Sequence, residues 1–167
     1  FLKREAARLA ESGLDRVTIS LDAVDQKLHS RITDSNVTVI DILDGIHEAI
    51  SRGLGPVKVN CVVQRGVNES QIPKLVRQFR GTGAIVRFIE FMDVGNTNGW
   101  SLDEVVTADE IRKKIGSLES IEPTKDSDVA KRYLLPGGNE VGIITSVTEP
   151  FCGHCTRARI SADGRLF

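Results

Sequence analysis

The stretch VKVNCVVQ, residues 57–64, alternates apolar and polar side chains and is rich in β-branched residues, which predicts a β-strand. From Asn68 onwards apolar residues recur at helical spacing as far as Gly81, so a helix follows the strand. Residues 85–92 then predict another strand after a short connection. Strand, helix and strand in this order indicate a right-handed crossover and two parallel neighbours in one sheet.

The same rhythm is present upstream of this stretch. Residues 16–22 alternate with period two and predict a first strand, and residues 40–50 have the apolar spacing of a helix that ends near Gly53. His29 is predicted on a helix surface, and Cys61 is predicted to be a small buried side chain. The three strands indicate an α/β fold, either an open sheet or a (β/α) barrel.

The pattern changes after Met92. Three local signals follow, namely a turn-rich loop at 93–100, a helix at 108–115 with Thr107 and Glu110 as its capping box, and a hairpin at 131–146. We therefore expect two regions, residues 1–100 with the parallel strands and residues 101–167 with β-hairpins.

The composition limits the class of protein. The chain has 167 residues, 40% of them apolar, and a net charge of −1, which fits a globular unit with a sizeable core. It has no run of lysine and arginine and no apolar run of about 18 residues, so neither DNA nor a membrane is predicted as a partner. Three cysteines with one close pair do not make a secreted disulfide framework, so we expect a cytoplasmic protein.

One face of each predicted strand carries polar side chains, where buried parallel strands usually carry apolar runs. These positions are Thr18, Ser20 and Asp22 in the first strand and Lys58 and Asn60 in the second. The pattern of the third strand fits either phase, and we favour the one that places Glu90 and Met92 on this face. If the other faces pack beneath helices, the polar faces line a lumen and predict a polar ligand. A sheet with one solvated face, and a surface lysine at position 58, is the alternative.

Cys152 and Cys155 lie three residues apart in FCGHCTRARISADGRLF, residues 151–167. Two thiolates at this spacing can share a metal ion or an iron–sulfur cluster, but they supply only part of a site. The turn at Asp163-Gly164 predicts a hairpin that brings the chain back towards them, so a third ligand is expected shortly after residue 167. An iron–sulfur cluster, structural zinc, a redox dithiol and inert thiols all stay open at this point.

Arg157 and Arg159 alternate on the strand that is predicted after the cysteines, so both guanidinium groups project to the same side. Each is a planar fork suited to phosphate oxygens, and the N–H group of Ala158 between them can add a donor. Two solvated arginines are the alternative. The two arginines directly follow the cysteine pair, and a lysine is predicted in the lumen. Both observations favour an anionic ligand.

Both ends of the chain indicate that it is part of a longer protein. The chain begins with Phe1 inside a helical pattern, and its last three residues have the pattern of a strand without a terminator. The first strand would then lack its upstream neighbour and leave an unpaired edge. We therefore expect self-association, as in a homodimer.

Four stretches together resemble the GTP 3′,8-cyclase family of molybdenum-cofactor biosynthesis, whose members are radical S-adenosylmethionine enzymes. They are RVTISLDAVD (16–25), VKVNCVVQRGVNE (57–69), RFIEFMDVGNTNGW (87–100) and FCGHCTRARISADG (151–164). The resemblance runs over essentially the whole chain. It implies a partial (β/α) barrel, two [4Fe–4S] clusters and a radical rearrangement of GTP with S-adenosylmethionine. The product is a cyclic pterin precursor for the next enzyme of the molybdopterin pathway.

Eight residues match positions that have a role in this family. Ser20 and Met92 resemble its contacts to S-adenosylmethionine, and Lys58 resembles a lysine that contacts GTP. Arg157, Ala158 and Arg159 resemble the segment that holds GTP, and Cys152 and Cys155 resemble two of the three cysteine ligands of the C-terminal cluster.

Two family features are not found in this sequence: the C-x-x-x-C-x-x-C loop of the radical-generating cluster, and a G-G-E-type turn for the methionine amine. We therefore expect residues 1–100 to be the C-terminal half of the barrel, residues 101–167 to carry the cluster half-site, and the chain alone to be inactive. Two other classes stay open. One is a zinc-binding α/β module that uses the two cysteines and His154, and the other is a different radical enzyme with an auxiliary cluster.

Overall fold

The computed structural model describes residues 1–92, 99–122, 128–149 and 160–166. These residues contain five α-helices, namely α1 (Leu2–Glu11), α2 (Gln26–Thr33), α3 (Val39–Ser51), α4 (Ile72–Gln78) and α5 (Ala108–Ile115). They also contain six strands, namely β1 (Thr18–Ser20), β2 (Lys58–Val63), β3 (Ile85–Glu90), β4 (Glu119–Ile121), β5 (Lys131–Leu134) and β6 (Glu140–Ile144). None of the helices in this described part is long and apolar enough to cross a membrane.

All six strands join one sheet in the order β1-β2-β3-β6-β5-β4. β1, β2, β3 and β6 run parallel, whereas β5 is antiparallel to both β6 and β4. The predicted α/β class with parallel strands is confirmed. The sequence did not predict that β6, the second strand of the hairpin, would lie beside β3 as a fourth parallel strand. The predicted division at residue 100 stays a prediction, and the sheet continues across it.

One face of the sheet forms the apolar core beneath the helices. Val59, Cys61 and Val63 alternate along β2 and are fully buried, and Val86 and Phe88 occupy the same face of β3. They pack in one cluster with helix residues that include Ala6, Ile46, Leu75 and Ile111. A register slip of one residue would turn these side chains to the opposite face, so the core fixes the pairing of the strands. The predicted burial of Cys61 is confirmed.

Helix α5 begins and ends where the sequence predicts. The Glu110 side chain accepts the Thr107 N–H at 2.9 Å, and the Thr107 hydroxyl accepts the Glu110 N–H at 3.4 Å, which completes the predicted capping box. Arg65 donates to Glu110 at 2.8 Å. The hydrogen bond from Arg65 is the main cause that lowers the pKa of Glu110 to about 2, and the bond from the Thr107 N–H is the next cause.

A helix at His29 was predicted from the sequence, but the bounds of helix α2 were not. Asp25 starts it by accepting the Leu28 N–H at 2.9 Å. Its buried residue is His29, which is 3% exposed, so the prediction of a helix-surface position was wrong. A short helix with a histidine on its inner side gives little apolar periodicity to detect.

Residues 160–166 form the turn that the sequence predicts. Ile160 and Leu166 make an antiparallel bridge, and the Gly164 N–H donates to the Ser161 carbonyl at 2.9 Å. Gly164 has a φ of 82°, a left-handed conformation that glycine adopts without a steric penalty. The Asp163-Gly164 turn is therefore confirmed.

Candidate functional site

The face of the sheet opposite the core carries a row of polar side chains, which we call the polar sheet face: Thr18, Ser20, Lys58, Asn60 and Arg87. Thr18 pairs with Lys58, Ser20 pairs with Asn60, and Asn60 pairs with Arg87. Paired residues in parallel strands point to the same side, so these side chains are direct neighbours. The prediction of one shared polar face is confirmed for Thr18, Ser20, Lys58 and Asn60, whereas Asp22 lies beyond the end of β1.

The phase that the sequence predicted for the third strand was wrong. Glu90 is fully buried on the core face with Val86 and Phe88, so Arg87 occupies the polar face instead. The reason is that buried backbone N–H groups satisfy the Glu90 carboxyl on the core side. The alternation of Val86 and Phe88 around Arg87 was the signal that could have fixed the phase.

Arg87 is held in place from two sides. Its Nε donates to Asn60 Oδ1 at 2.8 Å, and its alkyl chain lies across Gly142 of β6. A Cβ atom built on Gly142 would lie 3.0 Å from Arg87 Cγ, so the glycine leaves the space that this side chain fills. Burial lowers the pKa of the Arg87 guanidinium, because the charged form loses hydration.

Lys58 lies in a cationic environment. Its partial burial lowers the pKa of the ammonium group, and repulsion from Arg87 and then Arg16 acts in the same direction. The charges of Asp128 and then Glu140 oppose this shift, and the Glu140 carboxylate also holds Arg132 through two bonds of 2.7 and 2.8 Å. The polar sheet face is therefore suited to an anionic ligand.

Asp22 lies just beyond β1, where it joins β1 to β2. Its carboxylate accepts the Val62 N–H at 2.8 Å, and its carbonyl accepts from Asn68 Nδ2 at 3.0 Å. Asn68 also donates to the Val62 carbonyl at 2.8 Å. Burial raises the pKa of Asp22, although the Val62 N–H opposes the shift. Asp22 and the buried Asn68 therefore fix the carboxyl ends of the two strands.

Ser20 and Met92 lie at the same edge of the sheet. Ser20 ends β1, and Met92 follows two residues after β3, where its side chain is 41% exposed. The carboxyl ends of parallel strands meet at one edge, which is where open α/β sheets bind ligands. Trp100 Nε1 donates to the Phe91 carbonyl at 3.0 Å and so fixes the backbone next to Met92.

The other predicted site residues, Cys152, Cys155, Arg157, Ala158 and Arg159, lie outside the described residues. His154 also lies outside them. Within the described ranges no group of three or more His, Cys, Asp and Glu residues could hold a metal ion. The geometry of the predicted cluster and of the two arginines therefore stays a prediction.

Two family models match the chain. Residues 84–167 match Molybdenum Cofactor Synthesis C, and residues 1–79 match the Radical SAM superfamily. A crystal structure of a radical SAM methyltransferase from Sphaerobacter thermophilus has a similar fold, with a TM-score of 0.53 and 17% identity. That similarity covers 67% of this chain and 33% of the methyltransferase chain, and it supports the fold alone.

Curated relatives are similar over almost the whole chain. A GTP 3′,8-cyclase from Xanthomonas axonopodis pv. citri (strain 306) is 45% identical over 99% of this chain and 51% of its own length. A GTP 3′,8-cyclase from Staphylococcus carnosus (strain TM300) is 44% identical over 99% of this chain and 50% of its own length. The chain thus spans about half the length of the curated relatives it matches. It belongs to the Molybdenum Cofactor Synthesis C family, and a Radical SAM superfamily segment precedes that part of the chain.

Proposed function

We propose that this chain provides the GTP-binding part of a GTP 3′,8-cyclase, a radical S-adenosylmethionine enzyme of molybdenum-cofactor biosynthesis. The observation that carries the proposal is the 45% identity to a curated GTP 3′,8-cyclase over 99% of the chain. The cationic polar sheet face supports it, because a nucleoside triphosphate is an anion that such a face can bind.

The described residues have distinct roles in this proposal. Lys58 contacts the triphosphate, and the negative charge that arrives there raises the lowered pKa of its ammonium group. Asn60 orients Arg87 through the 2.8 Å bond to its Nε, which keeps a second cation beside Lys58. Ser20 and Met92, at the edge of the sheet, contact S-adenosylmethionine.

The remaining roles fall on residues 152–159. Arg157 and Arg159 hold phosphate oxygens with their guanidinium forks, and Ala158 adds a backbone donor. Cys152 and Cys155 supply thiolates to a [4Fe–4S] cluster, and thiolate sulfur is the ligand that such clusters take. Together with a third cysteine, these two residues would hold the cluster, and the cluster would supply an iron that can bind the substrate.

The proposal also includes location and partners. The enzyme works in the reducing cytoplasm, where thiolates and iron–sulfur clusters persist. Its cyclic product passes to the next enzyme of the molybdopterin pathway, and a second copy of the chain is a further expected partner.

The test measures ligand binding by the full-length protein under anaerobic conditions. Lys58→Ala or Arg159→Ala should raise the Kd for GTP by about 10- to 100-fold, because each removes a hydrogen bond to a charged group worth roughly 1.5–3 kcal/mol. The matched control is Lys74→Ala, which removes the same charge from an exposed position on α4. It should leave the Kd unchanged.

The affinity for S-adenosylmethionine separates lost contacts from misfolding. It should be unaffected in the Lys58 and Arg159 variants. An equal loss for both ligands would indicate a damaged fold, and an unchanged Kd for GTP in both variants would refute the proposed site. Metal analysis of the same protein should find iron, and one zinc ion in its place would refute the cluster.

A further inference from the structure

Glu90 is a fully buried carboxyl group at the end of β3, on the opposite side of the sheet from the proposed ligand site. Its two oxygens accept four hydrogen bonds. Oε1 accepts the Ala108 N–H at 2.9 Å and the Thr148 hydroxyl at 2.6 Å, and Oε2 accepts the Val147 and Thr148 N–H groups at 2.9 Å each. The carboxyl therefore joins β3, the start of α5 and the segment 146–149.

The segment that Glu90 holds follows directly after β6. Two further contacts fix it: the Thr145 hydroxyl donates to the Glu149 carbonyl at 2.8 Å, and Lys131 of β5 donates to the Glu149 carboxylate. Val147 and Thr148 pair with no strand among the described residues, and Glu90 accepts their N–H groups in place of a neighbouring strand. Glu90 therefore holds the middle of this segment, while the contacts of Thr145 and Lys131 hold its end at Glu149.

Capping of α5 does not account for this arrangement. Glu110 and Thr107 already form the capping box of that helix. A fully buried carboxyl is costly unless donors satisfy it, and three of the four donors on Glu90 come from Val147 and Thr148. The contacts of Glu90 are thus directed mainly to the segment rather than to the helix.

The segment leads within a few residues to FCGHCTRAR, residues 151–159, which contain the proposed cluster ligands and GTP contacts. We propose that Glu90 is a positioning residue: it fixes residues 146–149, the segment from which the chain continues to the proposed ligand site. This inference rests on the proposed function for the role of residues 151–159, but not for the contacts of Glu90. It predicts that a change on the core face alters the ligand site without touching a ligand.

The experiment compares three variants of the full-length protein. Glu90→Gln keeps the size of the side chain but turns an N–H₂ group towards N–H donors. Glu110→Gln is the matched control, because it changes a carboxylate at the start of the same helix that makes no bond to residues 146–149. Thr148→Val removes one of the four donors at an exposed residue and is expected to fold normally.

The first measurement is hydrogen exchange in the peptide that spans residues 140–149, which does not require a bound cluster. Exchange at Val147 and Thr148 should become about 10- to 100-fold faster in Glu90→Gln, the scale of a lost hydrogen bond to a charged group. Thr148→Val should give an increase of about 3- to 10-fold. Glu110→Gln should leave exchange at these two amides unchanged, even though it destabilises α5.

The second measurement is iron content, together with the electron paramagnetic resonance spectrum of the reduced protein. Glu90→Gln should lose iron or shift the spectrum, and Glu110→Gln should do neither. Unchanged exchange in Glu90→Gln, or equal acceleration in both variants, would overturn the positioning role. If exchange is faster in Glu90→Gln but the wild-type protein contains zinc instead of iron, the positioning role is upheld and the proposed cluster is refuted.

Discussion

Replacing Gly142 by alanine tests the packing that orients Arg87 on the polar sheet face. Gly142 pairs with Arg87 across β6 and β3 and lies outside the left-handed region, so the backbone itself tolerates alanine. The new Cβ would lie 3.0 Å from Arg87 Cγ and 3.3 Å from Ala130 Cβ. Arg87 Cγ is close to the backbone, so it can move away only if the bond between Arg87 and Asn60 is disturbed.

The magnitude follows from two opposing effects. Overpacking a filled site costs roughly 1–3 kcal/mol. Alanine in a strand is favoured over glycine by about 0.5–1 kcal/mol, because it restricts the unfolded chain. The net prediction is a loss of about 0–2.5 kcal/mol in the free energy of unfolding, centred near about 1 kcal/mol, which is the difference between these two ranges.

A double-mutant cycle with Arg87→Ala isolates the contact. In the Arg87→Ala background the clash with Cγ is gone and only the 3.3 Å contact with Ala130 Cβ remains, so Gly142→Ala should cost less than in the wild-type background by about 1 kcal/mol or more. Urea unfolding, followed by circular dichroism, gives the four free energies. If the effects of the two substitutions on the free energy of unfolding were additive within about 0.5 kcal/mol, the idea that Gly142 leaves room for the Arg87 side chain would be refuted.

Two further predictions concern titratable groups. The pKa of Glu110 falls from 4.5 unfolded to about 2 folded, so its contribution to stability is present above pH 4.5 and is lost as the pH falls towards 2. Glu110→Gln should therefore lower the free energy of unfolding by about 0.5–2 kcal/mol near pH 7, which is the range for loss of a helix cap. Urea unfolding at a series of pH values should show no difference between this variant and the wild-type protein at the acid end. For Lys58 the folded pKa lies below the unfolded value of 10.5, so the charged ammonium destabilises the ligand-free protein until the pH rises through these values. Lys58→Met should raise the free energy of unfolding by about 0.5–1 kcal/mol at neutral pH while it weakens GTP binding, and a loss of stability would contradict the burial of this group.

The sequence predicted those elements whose signals are local. The capping box of Thr107 and Glu110 fixed the start of α5, because both partners lie within one helical turn. The alternation in residues 57–64 fixed the core face of β2, since Val59, Cys61 and Val63 all point the same way. The turn at Asp163-Gly164 was predictable for the same reason.

Long-range pairings decided what the sequence could not predict. Nothing near β6 indicates that it lies beside β3, because that pairing joins residues more than fifty positions apart. Glu90 was placed on the wrong face because its partners, Ala108, Val147 and Thr148, come from distant segments. Arg87 was missed as a consequence of the same phase error.

The two family matches meet between residues 79 and 84, yet β2 and β3 on either side of that junction share six register pairs. A recombination event at this junction would separate two central strands and leave both with unpaired backbone edges, which favour aggregation. Exchange of the C-terminal part between relatives would therefore require a donor whose β3 is complementary to the resident β2. In this chain the boundary between the two family matches is not a boundary between structural units. The two segments are therefore expected to evolve together.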